Sequence, residues 1–187
     1  MAHLYLVRHG RAAAGWNEDT DPDLHEDGRA QAIAVAVELA ELGPLAIVTS
    51  PLRRARSTAA AFERIWGVPA VVEPRVGEIP SPSGQEGELE RRGPWLARIM
   101  GSTWDAPDLD AALRRWRDEV VEALLAVPDD AVVATHFVAI NVAFGAATGD
   151  SRVTCFRPDY CSFTVFENDS GRLELVQRGR EGATVVR

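Results

Sequence analysis

The fold is decided by the stretch His3-Leu4-Tyr5-Leu6-Val7-Arg8-His9-Gly10, in which a short apolar run ends in two basic side chains and a glycine. Short runs rich in Leu and Val predict strands of a buried parallel sheet. Open α/β sheets bind their ligands beyond the carboxyl ends of the strands. We therefore expect Arg8 and His9 to lie at the edge of the sheet where a ligand binds.

The same apolar pattern returns three times, and longer helical patterns separate the runs. The predicted strands are His3 to Val7, Leu45 to Thr49, Ala70 to Glu73 and Ala131 to Thr135. Four helices are predicted: Gly28 to Leu42, a helix that begins at Ser50-Pro51, Leu109 to Val127, and Phe137 to Thr148. Two further strands, Tyr160 to Glu167 and Leu173 to Gln177, are predicted to form a terminal hairpin. This alternation predicts an α/β fold, a three-layer α/β/α sandwich with a mostly parallel central sheet.

Local signals mark the ends of the first two helices. Ile33 and Val37 recur at helical spacing in the first, and Gly43-Pro44 predicts its end. Ser50 is predicted to be the N-cap of the second helix and Pro51 to occupy its first turn. The second helix is therefore expected to begin directly after the second strand.

One segment interrupts this alternation. Residues 69–107 hold six of the eleven prolines and lack a strong apolar period over most of their length. A connection of this length inside one domain is uncommon unless it covers a site. We therefore predict an inserted lid over about residues 74–107 of a single domain that spans 1–187, with Trp95 and Trp104 anchoring the segment to the body.

Composition excludes several classes of function. The 187 residues carry 20 basic and 28 acidic side chains, and the net charge of −8 argues against a nucleic-acid or anionic-membrane partner. No apolar run approaches the roughly 20 residues that span a bilayer, and the first ten residues lack the pattern of a secretion signal. We expect a cytoplasmic protein in which Cys155 and Cys161, too few for a four-ligand zinc site, are buried or half-buried thiols.

A second basic cluster follows the second predicted strand. Arg53, Arg54 and Arg56 fall in the first turns of the helix that Ser50-Pro51 opens. Cations at the positive end of a helix dipole are locally unfavourable, but a bound anion makes the placement favourable. Guanidinium groups pair with phosphate oxygens through two parallel hydrogen bonds. The cluster therefore predicts a phosphate site on the same edge of the sheet as His9.

His136 follows the fourth predicted strand directly, so it is predicted on that edge as well. Two histidines beside arginines suit phosphoryl transfer, in which positioning and charge neutralisation do most of the work. A neutral imidazole such as His9 can attack phosphorus and hold the phosphoryl group. The leaving oxygen then needs a proton, and Glu78 is the candidate acid. Nearby arginines would repel a cation, so we expect no metal and no cofactor.

Four motifs, in order along the chain, resemble those of the histidine phosphatase superfamily, also called phosphoglycerate-mutase-like. They are Leu6-Val7-Arg8-His9-Gly10, the segment Asp23 to Ala32, the block Thr49 to Ala59, and Thr135-His136-Phe137. One Arg-His-Gly tripeptide alone would be a weak signal. All four motifs together, spread over most of the chain, identify the protein as a member.

The resemblance implies a role for each matching residue. His9 would be the phosphorylated nucleophile, and Arg8 and Arg54 would hold the phosphate. His136 would contact the phosphoryl group, and Glu78 would be the general acid. Glu73, Glu86 and Glu88 are the alternatives for the acid, and Arg53 and Arg56 are expected to face solvent or a carboxylate.

The chain departs from the family pattern just after its first motif. Arg11-Ala12-Ala13-Ala14 stands where many members carry polar residues. Trp16-Asn17 resembles a pair that some members carry two residues closer to the histidine, which makes Asn17 a candidate phosphate ligand. Arg11 either adds positive charge at the mouth of the site or pairs with a carboxylate of the loop Glu18 to Asp23.

These observations lead us to expect a metal-independent phosphomonoester hydrolase. It would act through phosphohistidine on a small phosphorylated metabolite or a phosphoprotein. The alternatives are a cofactor-dependent phosphoglycerate mutase, although such mutases are generally longer, and a phosphate-binding module without activity. The terminal hairpin could extend the sheet across a homodimer.

Overall fold

The computed structural model describes residues 1–15, 18–81, 89–169 and 171–182, with residues 89–92 described by their backbone alone. The strands in this part of the chain are β1 (Ala2–Arg8), β2 (Ala46–Thr49), β3 (Val71–Val72), β4 (Ala131–Thr135), β5 (Phe163–Asp169) and β6 (Arg172–Gln177). The α-helices are α1 (Glu26–Glu38), α2 (Arg53–Trp66), α3 (Leu89–Met100), α4 (Ala111–Leu125) and α5 (Phe137–Thr148), with short 3₁₀ turns at Ala40–Leu42 and Pro74–Val76.

The six strands form one mixed sheet in the order β3-β2-β4-β1-β5-β6. The first four strands are mutually parallel, whereas β5 runs antiparallel to β1 and β6 antiparallel to β5. The prediction of a mostly parallel sheet with a terminal hairpin is therefore confirmed. β6 lies at an edge of the sheet, and a homodimer formed through the hairpin stays a prediction.

Each face of the sheet carries its own apolar core, which gives the three predicted layers. On one face Leu4 and Leu6 of β1 and Val133 of β4 pack with side chains from α3, α4 and α5. On the other face Val7 and Val132 pack with side chains from α1 and α2. Alternate residues of β1 and β4 thus face opposite cores, as expected for strands that are buried on both sides.

The predicted helix from Leu109 to Val127 corresponds to α4, and its Leu113, Trp116 and Val120 are buried among the residues of the first core. In α1 the two aliphatic residues that marked the helix, Ile33 and Val37, are exposed instead. The buried face of that helix consists of smaller side chains, namely Ala32, Val35 and Ala36. Small residues allow α1 and α2 to pack closely.

The predicted start of α2 is wrong by two residues. The helix begins at Arg53, and its N-cap is Leu52, which makes no capping bond through its side chain. Ser50 is fully buried, and its hydroxyl accepts a hydrogen bond from the Leu52 N–H at 3.2 Å and bonds to His136 Nε2 at 2.7 Å. Tertiary contact with His136 therefore replaces the local capping role that Ser50 was predicted to have.

Residues 74–107 include more regular structure than their composition indicates. α3 lies in this segment, and its Leu96 and Ile99 belong to the first core together with Trp104. Trp95 packs against the same core while partly exposed, so both tryptophans anchor the segment as predicted. Whether the segment acts as a lid stays a prediction. None of the helices in the described part of the chain is both long and apolar enough to cross a membrane.

Candidate active site

Two adjacent parallel strands bring the two histidines together. Arg8 at the end of β1 is in register with Thr135 at the end of β4, so His9 and His136 follow aligned residues. The His9 N–H donates to the Thr135 carbonyl at 2.9 Å, and the imidazole centroids lie 5.2 Å apart. This placement at the carboxyl edge of the sheet is the one that the sequence predicts.

The His9 imidazole is held in one orientation by the backbone. Its Nδ1 lies 2.7 Å from the carbonyl oxygen of Gly10, which can only accept, so the proton of the neutral ring resides on Nδ1. The Nε2 atom lies 3.2 Å from Nε of Arg54. Burial, followed by the charges of Arg54 and Arg8, lowers the pKa of His9 well below its usual value. His9 is therefore neutral near pH 7, with a lone pair on Nε2.

Gly10 is required for this loop because another chain segment passes directly over it. A Cβ at Gly10 would lie 2.4 Å from the carbonyl oxygen of Gly28, near the start of α1. The Gly10 N–H donates to the hydroxyl of Thr58, which itself donates to the carbonyl of Arg54. The loop after His9 is thus fastened to α2, the helix that carries the basic cluster.

Of the three arginines in that cluster, only Arg54 faces His9. Arg54 is 6% exposed, whereas Arg53 and Arg56 are exposed, as the sequence analysis expects. Asp21 holds the cluster in place: its carboxylate lies 3.9 Å from the Arg54 guanidinium and accepts the Arg53 backbone N–H at 2.8 Å. Asp23 lies 3.9 Å from the Arg53 guanidinium.

Arg8 is the second buried cation near His9. Its Nη1 donates to the Pro158 carbonyl at 2.8 Å, and its guanidinium carbon lies 4.0 Å from the centroid of the Tyr160 ring and 5.2 Å from that of Phe137. Burial lowers the pKa of Arg8, but an arginine remains charged in proteins. The guanidinium group is therefore held by two aromatic rings and one backbone carbonyl.

Glu78 contacts the start of α5. Its Oε1 accepts hydrogen bonds from the Ile79 N–H at 3.0 Å and from the Val138 N–H at 3.3 Å. Burial raises the pKa of Glu78, while the Ile79 N–H and the charges of Arg54 and Arg8 oppose the rise. A carboxyl group with a raised pKa can carry the proton that a general acid must give.

The other candidates of the sequence analysis do not join this group. Glu73 accepts hydrogen bonds from the Arg75 side chain, which lowers the pKa of its carboxyl group and pairs it locally. Glu86, Glu88 and Asn17 lie outside the described residues. Asn17 as a phosphate ligand therefore stays a prediction.

These side chains surround one cavity of about 480 Å³, which we call the His9 cavity. Its floor is formed by Arg8, His9, Arg54, Glu78 and Tyr160, and its rim includes residues 11–15 and 18–20. His136 is fully buried and adjoins His9 without lining the cavity. Arg11 lines the rim and pairs with Asp27 of α1 at 2.6 Å, so its carboxylate partner lies outside the loop that the sequence indicated.

Sequence reasoning missed Tyr160, which it assigned to a strand of the hairpin. β5 begins only at Phe163, and Tyr160 lies in the preceding loop, 6.0 Å from His9 between ring centroids. No motif marks it, because it reaches the site through the antiparallel return of the chain. Cys161 next to it is buried and Cys155 is half-buried, and both thiols are free, as expected. Burial raises the pKa of Cys161 to about 12, which keeps it unreactive.

The remaining histidines have structural surroundings. His3 Nδ1 lies 3.8 Å from a carboxylate oxygen of Asp130 at the other end of β1, and His25 accepts the Asp27 N–H as the N-cap of α1. Among the residues that the structure describes, no cluster of three or more His, Cys, Asp or Glu side chains could hold a metal ion.

A sequence profile of the histidine phosphatase superfamily (branch 1) matches residues 4–180. Because this match covers nearly the whole chain, the protein belongs to that superfamily. The family assignment agrees with the convergence of His9, His136, Arg8 and Arg54 at one edge of the sheet.

Individual relatives are similar over part of their length. The chain is 40% identical over 82 residues to glucosyl-3-phosphoglycerate phosphatase of Mycolicibacterium vanbaalenii, covering 42% of this chain and 36% of that protein. It is 30% identical over 128 residues to a probable phosphoglycerate mutase of Photorhabdus laumondii, covering 65% and 51%. The chain thus spans about a third to a half of these curated relatives. The solved structure of Bacillus stearothermophilus YhfR has the same fold, with a TM-score of 0.76 at 23% identity over 97% of this chain and 98% of that one.

Proposed function

We propose that the protein is a metal-independent phosphomonoester hydrolase that works through phosphohistidine at His9. The observation that carries this proposal is the environment of the His9 ring. Its Nδ1 faces the Gly10 carbonyl at 2.7 Å, and its Nε2 lies 3.2 Å from a buried guanidinium nitrogen of Arg54. A neutral imidazole with its lone pair beside a fixed cation suits attack on a phosphate dianion, which the cation draws in.

In the first step Nε2 of His9 attacks phosphorus, so that a P–N bond forms and the bond from phosphorus to the alcohol oxygen breaks. Arg8 and Arg54 neutralise the charge on the phosphoryl oxygens. Glu78, whose pKa is raised by burial, gives its proton to the leaving alcohol. His136 donates a hydrogen bond to the phosphoryl group.

In the second step water breaks the phosphohistidine. The oxygen of a water molecule attacks phosphorus while the Glu78 carboxylate accepts a proton from that water. The P–N bond breaks, its electron pair returns to Nε2 of His9, and inorganic phosphate leaves. Glu78 regains its proton and His9 its lone pair, so the cycle is closed without any other reactant.

The alcohol part of the substrate would occupy the rim of the His9 cavity. A cavity of about 480 Å³ has room for a small phosphorylated metabolite, and its open rim also admits a phosphorylated side chain of a protein. Substrates of these two kinds remain part of the proposal. The names of two relatives, a glucosyl-3-phosphoglycerate phosphatase and a probable phosphoglycerate mutase, make sugar and glycerate phosphates the first metabolites to test.

The decisive experiment measures inorganic phosphate released from an aryl phosphate in the presence of a metal chelator. The unmodified protein is compared with His9→Ala and with the control His3→Ala, which removes a histidine near the start of β1 whose side chain is 42% exposed. We expect release by the unmodified protein and by His3→Ala, and none by His9→Ala. Release that survives in His9→Ala, or that needs the removed metal, would overturn the proposed mechanism.

A second measurement distinguishes hydrolysis from the alternatives. Rapid acid-free denaturation during turnover of a ³²P-labelled substrate should trap label that is acid-labile and attached to His9. A mutase would instead pass label between phosphoglycerates with little release of inorganic phosphate. A binding module would retain phosphate or substrate on the protein without cleaving it.

A further inference from the structure

The His136 ring, like that of His9, is held by a hydrogen bond at one nitrogen. For His9 the partner is a backbone carbonyl, whereas for His136 it is a side chain. Nε2 of His136 lies 2.7 Å from the hydroxyl oxygen of Ser50, and both residues are fully buried. The other ring nitrogen, Nδ1, is buried and has no hydrogen-bond partner among the described residues. One ring nitrogen is therefore held by the protein, and the other has a hydrogen-bonding capacity that no described residue uses.

The direction of the hydrogen bond between these residues follows from the other bonds of Ser50. The Leu52 N–H points at the Ser50 hydroxyl oxygen at 3.2 Å and can only donate. The hydroxyl proton of Ser50 has no acceptor in the described part of the chain other than Nε2 of His136. Because a buried hydroxyl donates whenever an acceptor is within reach, Ser50 donates and Nε2 accepts.

A neutral imidazole that accepts at Nε2 carries its proton on Nδ1. Burial, together with the charges of Arg54 and Arg8 and the nearby His9 ring, keeps His136 neutral near pH 7 by lowering its pKa. The unpartnered Nδ1 is then a buried N–H donor, and such donors are rare unless a ligand or water completes them. The His9 ring lies 5.2 Å from the His136 ring between centroids.

We propose that Ser50 is a positioning residue that holds His136 as the Nδ1–H tautomer, so that this N–H donates to a phosphoryl oxygen of the group on His9. The second half of this proposal rests on the proposed function, whereas the tautomer itself is a property of the protein without substrate. Ser50 acts through His136 and does not touch the phosphoryl group.

The backbone around Ser50 suits this role. Its N–H donates to the Ala134 carbonyl of β4 at 3.1 Å, two residues before His136. Pro51 follows, which restricts Ser50 to extended backbone geometry. The hydroxyl thereby reaches the His136 ring at the end of β4, while the N-cap position of α2 is taken by Leu52.

The tautomer is tested first by NMR of ¹⁵N-histidine-labelled protein without substrate. Two-bond correlations from the ring carbon protons distinguish a protonated from an unprotonated nitrogen. We expect His136, assigned by its loss in His136→Gln, to show a protonated Nδ1 and an unprotonated Nε2. A proton on Nε2 would overturn the proposal whether or not the protein hydrolyses any phosphate ester.

The role of Ser50 is tested with Ser50→Ala and Ser50→Thr. The control is Ser57→Ala, which removes a hydroxyl of α2 that donates a hydrogen bond to Asp23. We expect Ser50→Ala to mix the two tautomers and to lower kcat for an aryl phosphate roughly tenfold or more, since a wrong tautomer leaves geometry intact but loses the donor. Ser50→Thr keeps a hydroxyl and should keep the Nδ1–H signal.

The outcomes separate this inference from the proposed function. An unchanged tautomer in folded Ser50→Ala overturns the positioning role. A tautomer that changes without loss of kcat in an active enzyme overturns the contact with the phosphoryl group. If the unmodified protein releases no phosphate, the proposed function fails, but the NMR result still decides the role of Ser50.

Discussion

The floor and the rim of the His9 cavity differ in what holds them. Floor residues such as Arg8, His9 and Arg54 are at most 7% exposed and are fixed by bonds to backbone carbonyls, aromatic rings and each other. Rim residues such as Glu18 and Asp19 are exposed, and their described hydrogen bonds come from backbone N–H groups within their own loop. Under the proposed function, the fixed floor would hold the phosphoryl group that all substrates share, while the rim could vary with the alcohol.

The difference between the buried floor and the exposed surface is tested first by removing one arginine from each, Arg54 from the floor and Arg56 from the outer face of α2. We expect Arg54→Ala to lower kcat/KM for an aryl phosphate by about 10²–10³, the usual effect of removing a buried donor to a developing charge. Arg56→Ala, which removes an exposed arginine two residues away, should change it by less than about twofold. Similar losses in the two folded variants, checked by circular dichroism, would mean that charge alone matters.

The second prediction concerns the acid on the floor. Glu78→Gln keeps the shape of the side chain but cannot give a proton. We expect losses of about 10²–10⁴ for alkyl phosphates and much smaller losses for aryl phosphates, whose leaving groups need no proton. Initial rates for the two kinds of ester measure the difference, and equal losses would rule out Glu78 as the acid.

The role of Glu78 as the acid also predicts how the rate with alkyl phosphates changes with pH. Burial raises the pKa of Glu78, so the folded protein retains this proton above the usual range of a glutamate. The protonated acid is present below that raised pKa and is lost as the pH rises through it. For alkyl phosphates the rate of the first step should therefore fall on the alkaline side, and that limb should be absent in Glu78→Gln.

The smallest effect is expected at the rim. Glu18 and Asp19 place two carboxylates where the alcohol would lie, and they disfavour an alcohol that is itself anionic. Exposed charges contribute about 0–1 kcal/mol each, so the double variant Glu18→Gln, Asp19→Asn should lower the preference for phosphoethanolamine over 3-phosphoglycerate by about two- to fivefold. The rate with an aryl phosphate should change less, and an unchanged ratio would mean that the rim does not select by charge.

The sequence predicts the floor better than the rim, for a physical reason. His9 and His136 directly follow strands, and the carboxyl ends of parallel strands meet at one edge, so their placement on that edge follows from the strand pattern. That β1 and β4 are neighbours, which brings the two rings close, is seen only in the structure. Arg54 follows in the same way from the start of a helix after β2. The rim is a loop whose sequence has no periodic pattern, so the sequence does not indicate its path. The ion pair between Arg11 and Asp27 of α1 is seen only in the structure.

Side chains that join the site through tertiary contact were also beyond reach of the sequence. Ser50 has the pattern of a helix cap, and only the approach of β4 turns its hydroxyl to His136. Tyr160 lies in an apolar stretch that resembles a strand, and only the antiparallel return of β5 brings it against Arg8. In both cases a local signal was present, and a distant partner decided the outcome.

The order of strands in the sheet also constrains how the protein is made. β1 leaves the ribosome early, but its two neighbours, β4 and β5, are residues 131–135 and 163–169 and follow much later. At a translation rate of about 5–20 residues per second, β1 therefore has neither neighbouring strand for several seconds or more after it is synthesised. An arrested or clipped chain that ends before β4 would contain His9 and Arg54 but no sheet to align them. In such a chain β1 has neither of its neighbouring strands, so the alignment of His9 with His136 is reached only after β4 has been synthesised.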